Sequence, residues 1–448
     1  MKQYIISFAH SFPNFRVAEL ESLAQIAGFS VDLGAHDPAS PFLVVQLESD
    51  DQAASLVHRS VLAKGIYELW GEGSDLEALH ESVQRQYSDL FGLYKHKTFR
   101  FDFVSFMGNK TTAEKIAAIE TFRYVGFEGK IRFKDPEVVF AVLERYHVTG
   151  MEKAVEPEYL WFGRQVQLSA RFEGVVEKYD LKKRKYIGTT SFEAELSLVS
   201  CNIAQVRPGK FIYDPFTGTG SFLVAGAFFG AYPMGTDIDP RSIRGKGANC
   251  NLKTNFRQYG TASQFVDTWV MDFTNNALRN DLTIDTIVCD PPYGVREGIK
   301  VCGAKNPEKA ACREANVVGG ELGHSRRDFI APKKPYELAN LLEDLLNFAA
   351  AKLPTGGRLA FWMPTANDDF SEHQILQHER LEHLYALEQE FNKWSRRLLI
   401  YVKRDADYRG ATTNGMIENN VTSFRARYFK SFNEKSRSSE KPADAAGA

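Results

Sequence analysis

The chain has 448 residues, of which 44% are hydrophobic and 25% charged, with a formal net charge of -2 at pH 7. One core does not extend over that length, so two or three domains are expected. The near-neutral balance excludes a protein that holds nucleic acid by bulk charge alone, and no apolar run approaches the ~20 residues needed to span a bilayer.

In chain order, residues 4–8 alternate as a strand, 17–27 carry helical spacing, 42–46 read as a strand and 51–62 as a helix. Residues 1–75 are therefore expected to form a small α+β module without a catalytic motif. Its strand-like start lacks the apolar stretch and cleavage site of a secretory signal. Cys201, Cys250, Cys289, Cys302 and Cys312 contain no Cys-x-x-Cys pair, which argues for reduced thiols and against a zinc site. A soluble cytoplasmic protein with no metal and no membrane partner is expected.

Residues 76–167 read as a second α+β module, with a strand at 99–106, a helix at 111–121, extended stretches at 130–133 and 135–140, and a strand at 159–163. The third domain is expected over 168–433. It opens with Lys182-Lys183-Arg184-Lys185 and a helix at 191–204, then alternates: strand 211–214, helix 221–229, strand 232–237, helix 242–252, strands 265–271 and 286–290, helix 336–353, strand 358–363. Such alternation gives a parallel sheet flanked by helices. Residues 295–335 show little periodicity and form a long insertion after a strand end, where loops are usually functional. Residues 434–448 have the composition of a disordered tail.

The segment Asp214-Pro215-Phe216-Thr217-Gly218-Thr219-Gly220-Ser221 follows an apolar strand and opens a helix. Gly218 and Gly220 remove Cβ atoms where the backbone turns sharply and a ligand lies against the main chain. There is no second Gly-x-x-Gly for a pyrophosphate and no Gly-Lys-Ser/Thr for a triphosphate. Main-chain groups around Phe216 and Thr219, with Asp214, suit the amino-acid end of S-adenosylmethionine. Asp237, followed by Ile238, ends the next strand, where a carboxylate accepts both ribose hydroxyls. Asp239 competes for that role, its bland alternative being a helix cap. Asp272 ends the third strand, placed to accept an adenine amine with Phe273 flanking the ring, or to cap a turn.

Asp290-Pro291-Pro292-Tyr293-Gly294 ends the fourth strand, and two prolines stop sheet pairing there. The lone pair of a base amine is delocalised into its ring. A carboxylate on Asp290 and the Pro291 carbonyl can accept its two N–H bonds and turn that pair toward an activated methyl group. Tyr293 offers a stacking face, Pro292 keeps the turn stiff, and no metal is needed. Lys182, Lys183, Arg184 and Lys185 are candidate phosphate contacts, weighed against a plain solvated face.

The order Asp-Pro-Phe-x-Gly-x-Gly, Gly-Thr-Asp, Asp-Pro-Pro-Tyr resembles the class I Rossmann-fold methyltransferases that modify amino groups. The resemblance implies an α/β domain with a seven-stranded, mostly parallel sheet of order 3-2-1-4-5-7-6. More narrowly, residues 181–191, 290–297 and 394–400 resemble the catalytic subunits of eukaryotic tRNA guanine-10 N2-methyltransferases. That family implies a ferredoxin-like module and then a THUMP module, for which Asp135-Pro136-Glu137-Val138 and Trp161-Phe162-Gly163-Arg164 are the local signs. It also implies tRNA as substrate, S-adenosylmethionine as methyl donor, and a heterodimer with a small zinc-binding activator paired to an edge strand near 264–270. Competing readings are methyl transfer to a protein glutamine amide, to adenine N6 in DNA, and an RNA-binding scaffold that keeps the fold without the activity.

Overall fold

The computed structural model describes residues 1–408 apart from 35, 147, 150–151, 154–155, 295–297, 305, 307, 309–310, 312–316, 327–328, 330, 368–369, 371–374 and 392–393. The expected tail at 434–448, Cys312 and part of the 295–335 insertion lie outside the described residues. The chain divides into two units, Met1–Lys178 and Tyr179–Ala448.

In the first unit, apolar alternation and capped helices build β1 (Lys2–Phe8), α1 (Arg16–Ala27), β2 (Phe42–Leu47), α2 (Asp50–Val57), β3 (Ala63–Gly73), α3 (Leu76–Tyr87), β4 (Phe99–Phe106), α4 (Thr112–Thr121), β5 (Val138–Arg145) and β6 (Tyr159–Leu168). Ser49 caps α2, and Thr111 with Glu114 forms a reciprocal capping box on α4, satisfying N–H groups that have no partner within the helix. One six-stranded sheet of order β2-β1-β3-β6-β5-β4 runs through the unit. Strand β3 escapes the sequence reading because glycines at 65, 71 and 73 and a central Glu68 obscure its periodicity. Tertiary packing explains both features. A Cβ on Gly71 would stand 2.4 Å from Val83 Cγ2 of α3. The buried Glu68 carboxylate pairs with Lys2 at 2.7 Å and Arg164 at 2.9 Å. Because β3 pairs with β6, residues 1–75 and 76–167 contribute to the same sheet.

The second unit contains α5 (Ala194–Ile203), β7 (Phe211–Asp214), α6 (Ser221–Phe228), β8 (Tyr232–Asp237), α7 (Pro240–Arg244), α8 (Leu252–Tyr259), β9 (Asp267–Val270), β10 (Thr286–Cys289), the short strands β11 (Lys300–Cys302) and β12 (Lys333–Pro335), α9 (Leu338–Lys352), β13 (Arg358–Ala366), β14 (Leu381–Glu390) and β15 (Trp394–Lys403). Its seven-stranded sheet has the order β9-β8-β7-β10-β13-β15-β14. Numbered within the sheet, leaving aside the β11–β12 ribbon, this is 3-2-1-4-5-7-6, as the resemblance implied. Strands β7 to β10 and β13 are parallel; β15 runs antiparallel to β13 and to β14, so β14 points the same way as the parallel set. Leu341, Leu342, Leu345, Leu346 and Ala349 of α9 bury one helical face in the core that holds Ile287, Leu359 and Phe361.

The expected helix at 242–252 is corrected to two. Gly245, at φ 71°, stops α7, and Asn251 starts α8 by accepting the Thr254 amide. Neither break has an apolar signature. The antiparallel pair β14–β15 was not marked as strand by its residues.

The order reversal between β7 and β10 opens a crevice at the carboxyl ends of the parallel strands, the usual ligand position in open α/β sheets. Gly235 of β8 packs there against the turn after β7: a Cβ would lie 2.2 Å from Thr217 Oγ1 and 2.8 Å from the Asp214 carbonyl oxygen. Gly235→Ala is therefore expected to destabilise the second unit by ~1–3 kcal/mol. Calorimetry checks this, and an unchanged melting temperature would remove Gly235 from the packing argument.

Candidate active site

Three carboxylates end three neighbouring strands: Asp214 on β7, Asp237 on β8 and Asp290 just beyond β10. Asp214 is fully enclosed, and its Oδ1 accepts the Phe216 amide at 2.9 Å. Burial pushes its carboxyl well above the ordinary range, and the charges of Asp237 and Asp290 push it further. Asp237 accepts the Gly218 amide at 2.8 Å on Oδ2 and the Asp239 amide at 2.7 Å on Oδ1. Burial raises its affinity for a proton too, opposed by those two amides and by the charge of Lys333. Among the described residues no ion pair neutralises any of the three.

The turn between β7 and α6 is fixed by its own main chain. The Thr217 amide donates to the Thr236 carbonyl at 2.9 Å and the Gly220 amide to the Thr217 carbonyl at 2.7 Å. Gly218 and Gly220 hold φ of 52° and 76°, a region that strains residues with a Cβ. Their surroundings differ. A Cβ on Gly220 would strike Leu252 Cδ1 at 2.3 Å, whereas beside Gly218 only the Phe216 carbonyl oxygen lies within 4 Å, at 3.9 Å. Gly220 is a packing glycine, and Gly218 leaves an open cradle.

That cradle fits a cationic nucleoside. An ammonium set against Asp214 and Asp237 offsets buried carboxylates that no ion pair among the described residues neutralises. The half-buried Asp237 carboxylate retains acceptor capacity for ribose hydroxyls beyond its two amide bonds. Asp239 takes the bland alternative: it caps α7 through the Arg241 amide at 2.9 Å and holds the Arg241 guanidinium at 2.7 Å. Ile238 is half-buried beside it.

Asp272 is also a cap. Its Oδ1 accepts the Thr274 amide at 3.0 Å and hydroxyl at 2.9 Å, while Oδ2 accepts the Cys302 amide at 2.6 Å. It thereby ties the β11–β12 ribbon of the insertion to the end of β9. Phe273 is buried, its ring edge-on to Phe216 at 5.2 Å and to Phe348 at 5.2 Å.

At the tip of β10, the Tyr293 hydroxyl donates to Asp290 Oδ1, so the ring is held beside the acid. Pro291 is buried, Pro292 exposed, and Asp290 and Tyr293 half-buried. Burial lifts the Asp290 carboxyl to about 6, against the opposing influence of the Tyr293 hydroxyl and the Arg396 charge. Arg396 of β15 lies over the Phe192 ring at 4.1 Å and pairs with Glu193 at 2.8 Å. Motif reading from residue types missed this group, although the resemblance over 394–400 contains it. Ser191 was missed as a site residue too: its hydroxyl meets Thr219 Oγ1 at 2.6 Å and accepts the Gly188 amide at 2.8 Å. Residues 188–193 thus run from the glycine turn toward Arg396.

The basic run separates in the structure. Lys182, Lys183 and Lys185 are exposed, while Arg184 is buried. Its Nη1 donates to the Ser221 hydroxyl at 3.0 Å. Tyr179 and Tyr259 stack on one another at 4.3 Å, and both act electrostatically on the Arg184 guanidinium. The expectation that Arg184 contacts phosphate is therefore corrected: its charge is directed inward, behind the glycine turn. Arg184→Ala is expected to lower the melting temperature of the second unit by several degrees, because it empties a packed site and removes the hydrogen bond that the Ser221 hydroxyl accepts, leaving that hydroxyl only its bond to the Phe192 carbonyl. Replacing Lys182, Lys183 and Lys185 together by Ala should leave the melting temperature unchanged. Equal melting temperatures for all variants would contradict the assignment.

Comparison with known proteins gives concordant matches. Residues 2–171 match the family model described as the Tmrp11 THUMP N-terminal domain, and residues 182–305 match the RMKL-like methyltransferase domain. The tRNA (guanine(10)-N(2))-methyltransferase of Saccharomyces cerevisiae is 54% identical over 97% of this chain and 100% of its own length. Its counterpart from Schizosaccharomyces pombe is 33% identical over 98% of this chain and 99% of its own. The human protein, tRNA (guanine(10)-N(2))-methyltransferase TRMT11, is 32% identical over 98% of each chain. With an N-terminal THUMP match, a methyltransferase match and end-to-end likeness to these enzymes, the chain belongs to the tRNA (guanine(10)-N(2))-methyltransferase family.

Proposed function

We propose that this chain transfers a methyl group from S-adenosylmethionine to the exocyclic N2 of a guanosine in tRNA, position 10 by kinship with its relatives. The observation that carries the reading is the placement of Asp290 at the tip of β10, the strand paired with β7, whose end carries Asp214 and the glycine turn. The acceptor site and the methyl-donor cradle then share one strand-end crevice.

The donor supplies a methyl group on a sulfonium, which needs only an in-line nucleophile. Asp214 and the main chain around Gly218 hold its amino-acid end, and Asp237 takes the ribose hydroxyls. Thr219, braced by Ser191, fixes the turn. Asp272 acts indirectly, by setting the 273–275 turn and anchoring the β11–β12 ribbon. The target guanine leaves its stack to reach the site. Asp290 and the Pro291 carbonyl accept the two N2–H bonds, which localises the nitrogen lone pair toward the methyl group. Tyr293, hydrogen-bonded to Asp290, fixes the carboxylate and offers a ring edge or face to the base. Catalysis is mainly positioning. The carboxylate must be ionised to do this work, and a proton affinity near 6 also equips it to receive the proton that N2 loses.

Among the described residues, no helix is long and apolar enough to cross a membrane. Cys201, Cys250, Cys289 and Cys302 form no disulfide among the described residues, which fits the reducing cytosol. An activator subunit, the small zinc-binding partner implied by resemblance, has a candidate docking strand in β9. This is a sheet edge with Val266, Trp269 and Val270 exposed, open to main-chain strand addition.

Asp290→Ala is expected to keep near-normal donor binding by calorimetry while methyl transfer to tRNA falls to background. Turnover equal to wild type would remove the proposed role. In wild type the single-turnover rate should rise with pH through about 6 and level off above, because the ionised acceptor is the active form. About one unit below that value the rate should be about tenfold lower. Val270→Asp should abolish co-purification with the activator while leaving the monomer's circular dichroism unchanged; retained co-purification would move the partner elsewhere.

A further inference from the structure

Alternation carried one residue past the end of β10 decides which face of the sheet Asp290 shares. Cys289 pairs with Phe361 of β13, and both belong to the core beneath α9. Asp290 therefore falls on the opposite face, that of Trp362. Across the next pair of strands Trp362 meets Leu398 and Pro364 meets Arg396, so Arg396 rises from β15 on this same face, nearer the carboxyl ends of the parallel strands. Its guanidinium leans over β13, the neighbour of β10, and lies 5.0 Å from the Trp362 ring centroid. Arg397, next in sequence, takes the other face, over Phe370 and paired with Glu388 at 2.7 Å.

The guanidinium is clamped in place. Phe192 lies under it at 4.1 Å and Phe391 flanks it at 5.7 Å. Its Nη2 donates to Glu193 Oε1 at 2.8 Å and its Nε to Gln389 Oε1, while Gln389 Nε2 donates to the same Glu193 oxygen at 3.0 Å. The Arg396 side chain is only 16% exposed, so water and salt screen its charge weakly. The groups electrostatically linked to Asp290 are the Tyr293 hydroxyl on its own turn, the Cys289 thiol before it, Asp214 at the end of β7 and Arg396 of β15. Of these Arg396 is the one cation. A planar guanidinium stacks on aromatic rings and forks to two acceptors at once, which a lysine ammonium does not do, and both features hold this charge over β13 rather than out in solvent.

We propose that Arg396 is a positioning residue for the acceptor site: held over Phe192 and Trp362 by Glu193 and Gln389, it keeps the Asp290 carboxylate ionised and so able to accept the N–H bonds of the base amine. Glu193 sets the strength of this effect, because it partly neutralises the guanidinium. The clamp is also tied to the donor side, since Ser191, two residues before Glu193, meets Thr219 of the glycine turn. The proposal rests on the reading of Asp290 as the group that receives the target amine.

The test uses the full chain with its activator and unmodified tRNA transcript, and reads the midpoint of the single-turnover rate against pH. Arg396→Gln should move that midpoint upward by about 0.5–1 unit, because the proton on Asp290 is then held more tightly. Glu193→Gln keeps the hydrogen-bond acceptor but removes the counter-charge, and should move the midpoint downward. Arg396→Lys should restore most of the shift lost in Arg396→Gln. A second readout is independent of turnover: the infrared band of the protonated Asp290 carboxyl, assigned by its loss in Asp290→Asn, should titrate with the same two opposed shifts. Opposed shifts are the signature of charge, whereas a merely structural clamp would lower the melting temperature in both variants and move neither midpoint. A wild-type midpoint near 6 that stays in place in Arg396→Gln and Glu193→Gln would overturn the role of Arg396 and leave that of Asp290 standing. A shifted carboxyl band with an unshifted rate profile would keep the coupling of Arg396 to Asp290 and count against Asp290 as the reacting group. A wild-type protein in which neither rate nor band titrates near that pH overturns both.

Discussion

Burial of carboxylates at three strand ends organises the second unit. Asp214, Asp237 and Asp290 end adjacent strands where burial makes ionisation costly at each, and the charges of Asp237 and Asp290 add to that cost at Asp214. The protein meets part of that cost with main-chain amides, from Phe216 and Asp239 and from Gly218. It leaves the rest to be met by whatever binds. A ligand bearing positive charge gains from a site that is strained without it, and the strain is local because the strands are fixed by parallel pairing on both sides.

The same arrangement explains why so few side chains are needed for chemistry. Sheet order brings β7 between β8 and β10, so the three acids fall at the ends of neighbouring strands. Arg184, buried behind the turn, directs its charge to structure, while Arg396, stacked over Phe192 and paired with Glu193, also favours the ionised form of Asp290. Exposed positive charge in this unit lies elsewhere, on Lys182, Lys183 and Lys185.

Local signals were legible where a single residue type has one efficient use. Gly218 and Gly220 mark left-handed backbone, the paired prolines after Asp290 mark a strand end, and the one-sided leucine pattern of α9 marks a buried helix face. Signals failed where meaning depends on a distant partner. The glycines of β3 are explained only by α3 and β6 lying against them, and Glu68 in that strand only by Lys2 and Arg164. Asp239 and Asp272 carry the same residue type at similar strand ends as Asp237. All three accept main-chain amides, and which amides approach is set only by the folded turn around each.

Sequence alone determined the order of strand-end motifs, and with it the type of chemistry, because turns and strand terminations are set within a few residues by φ preference and missing N–H groups. Tertiary structure decided which charges are available. Arg184 and Lys185 are neighbours in sequence, and only packing against Ser221, Tyr179 and Tyr259 turns one of them inward. Likewise Phe133 looks like one more core aromatic until the edge of β4 leaves it nothing to pack on. Burial is a property of the assembled surface, and no local run of residues encodes it.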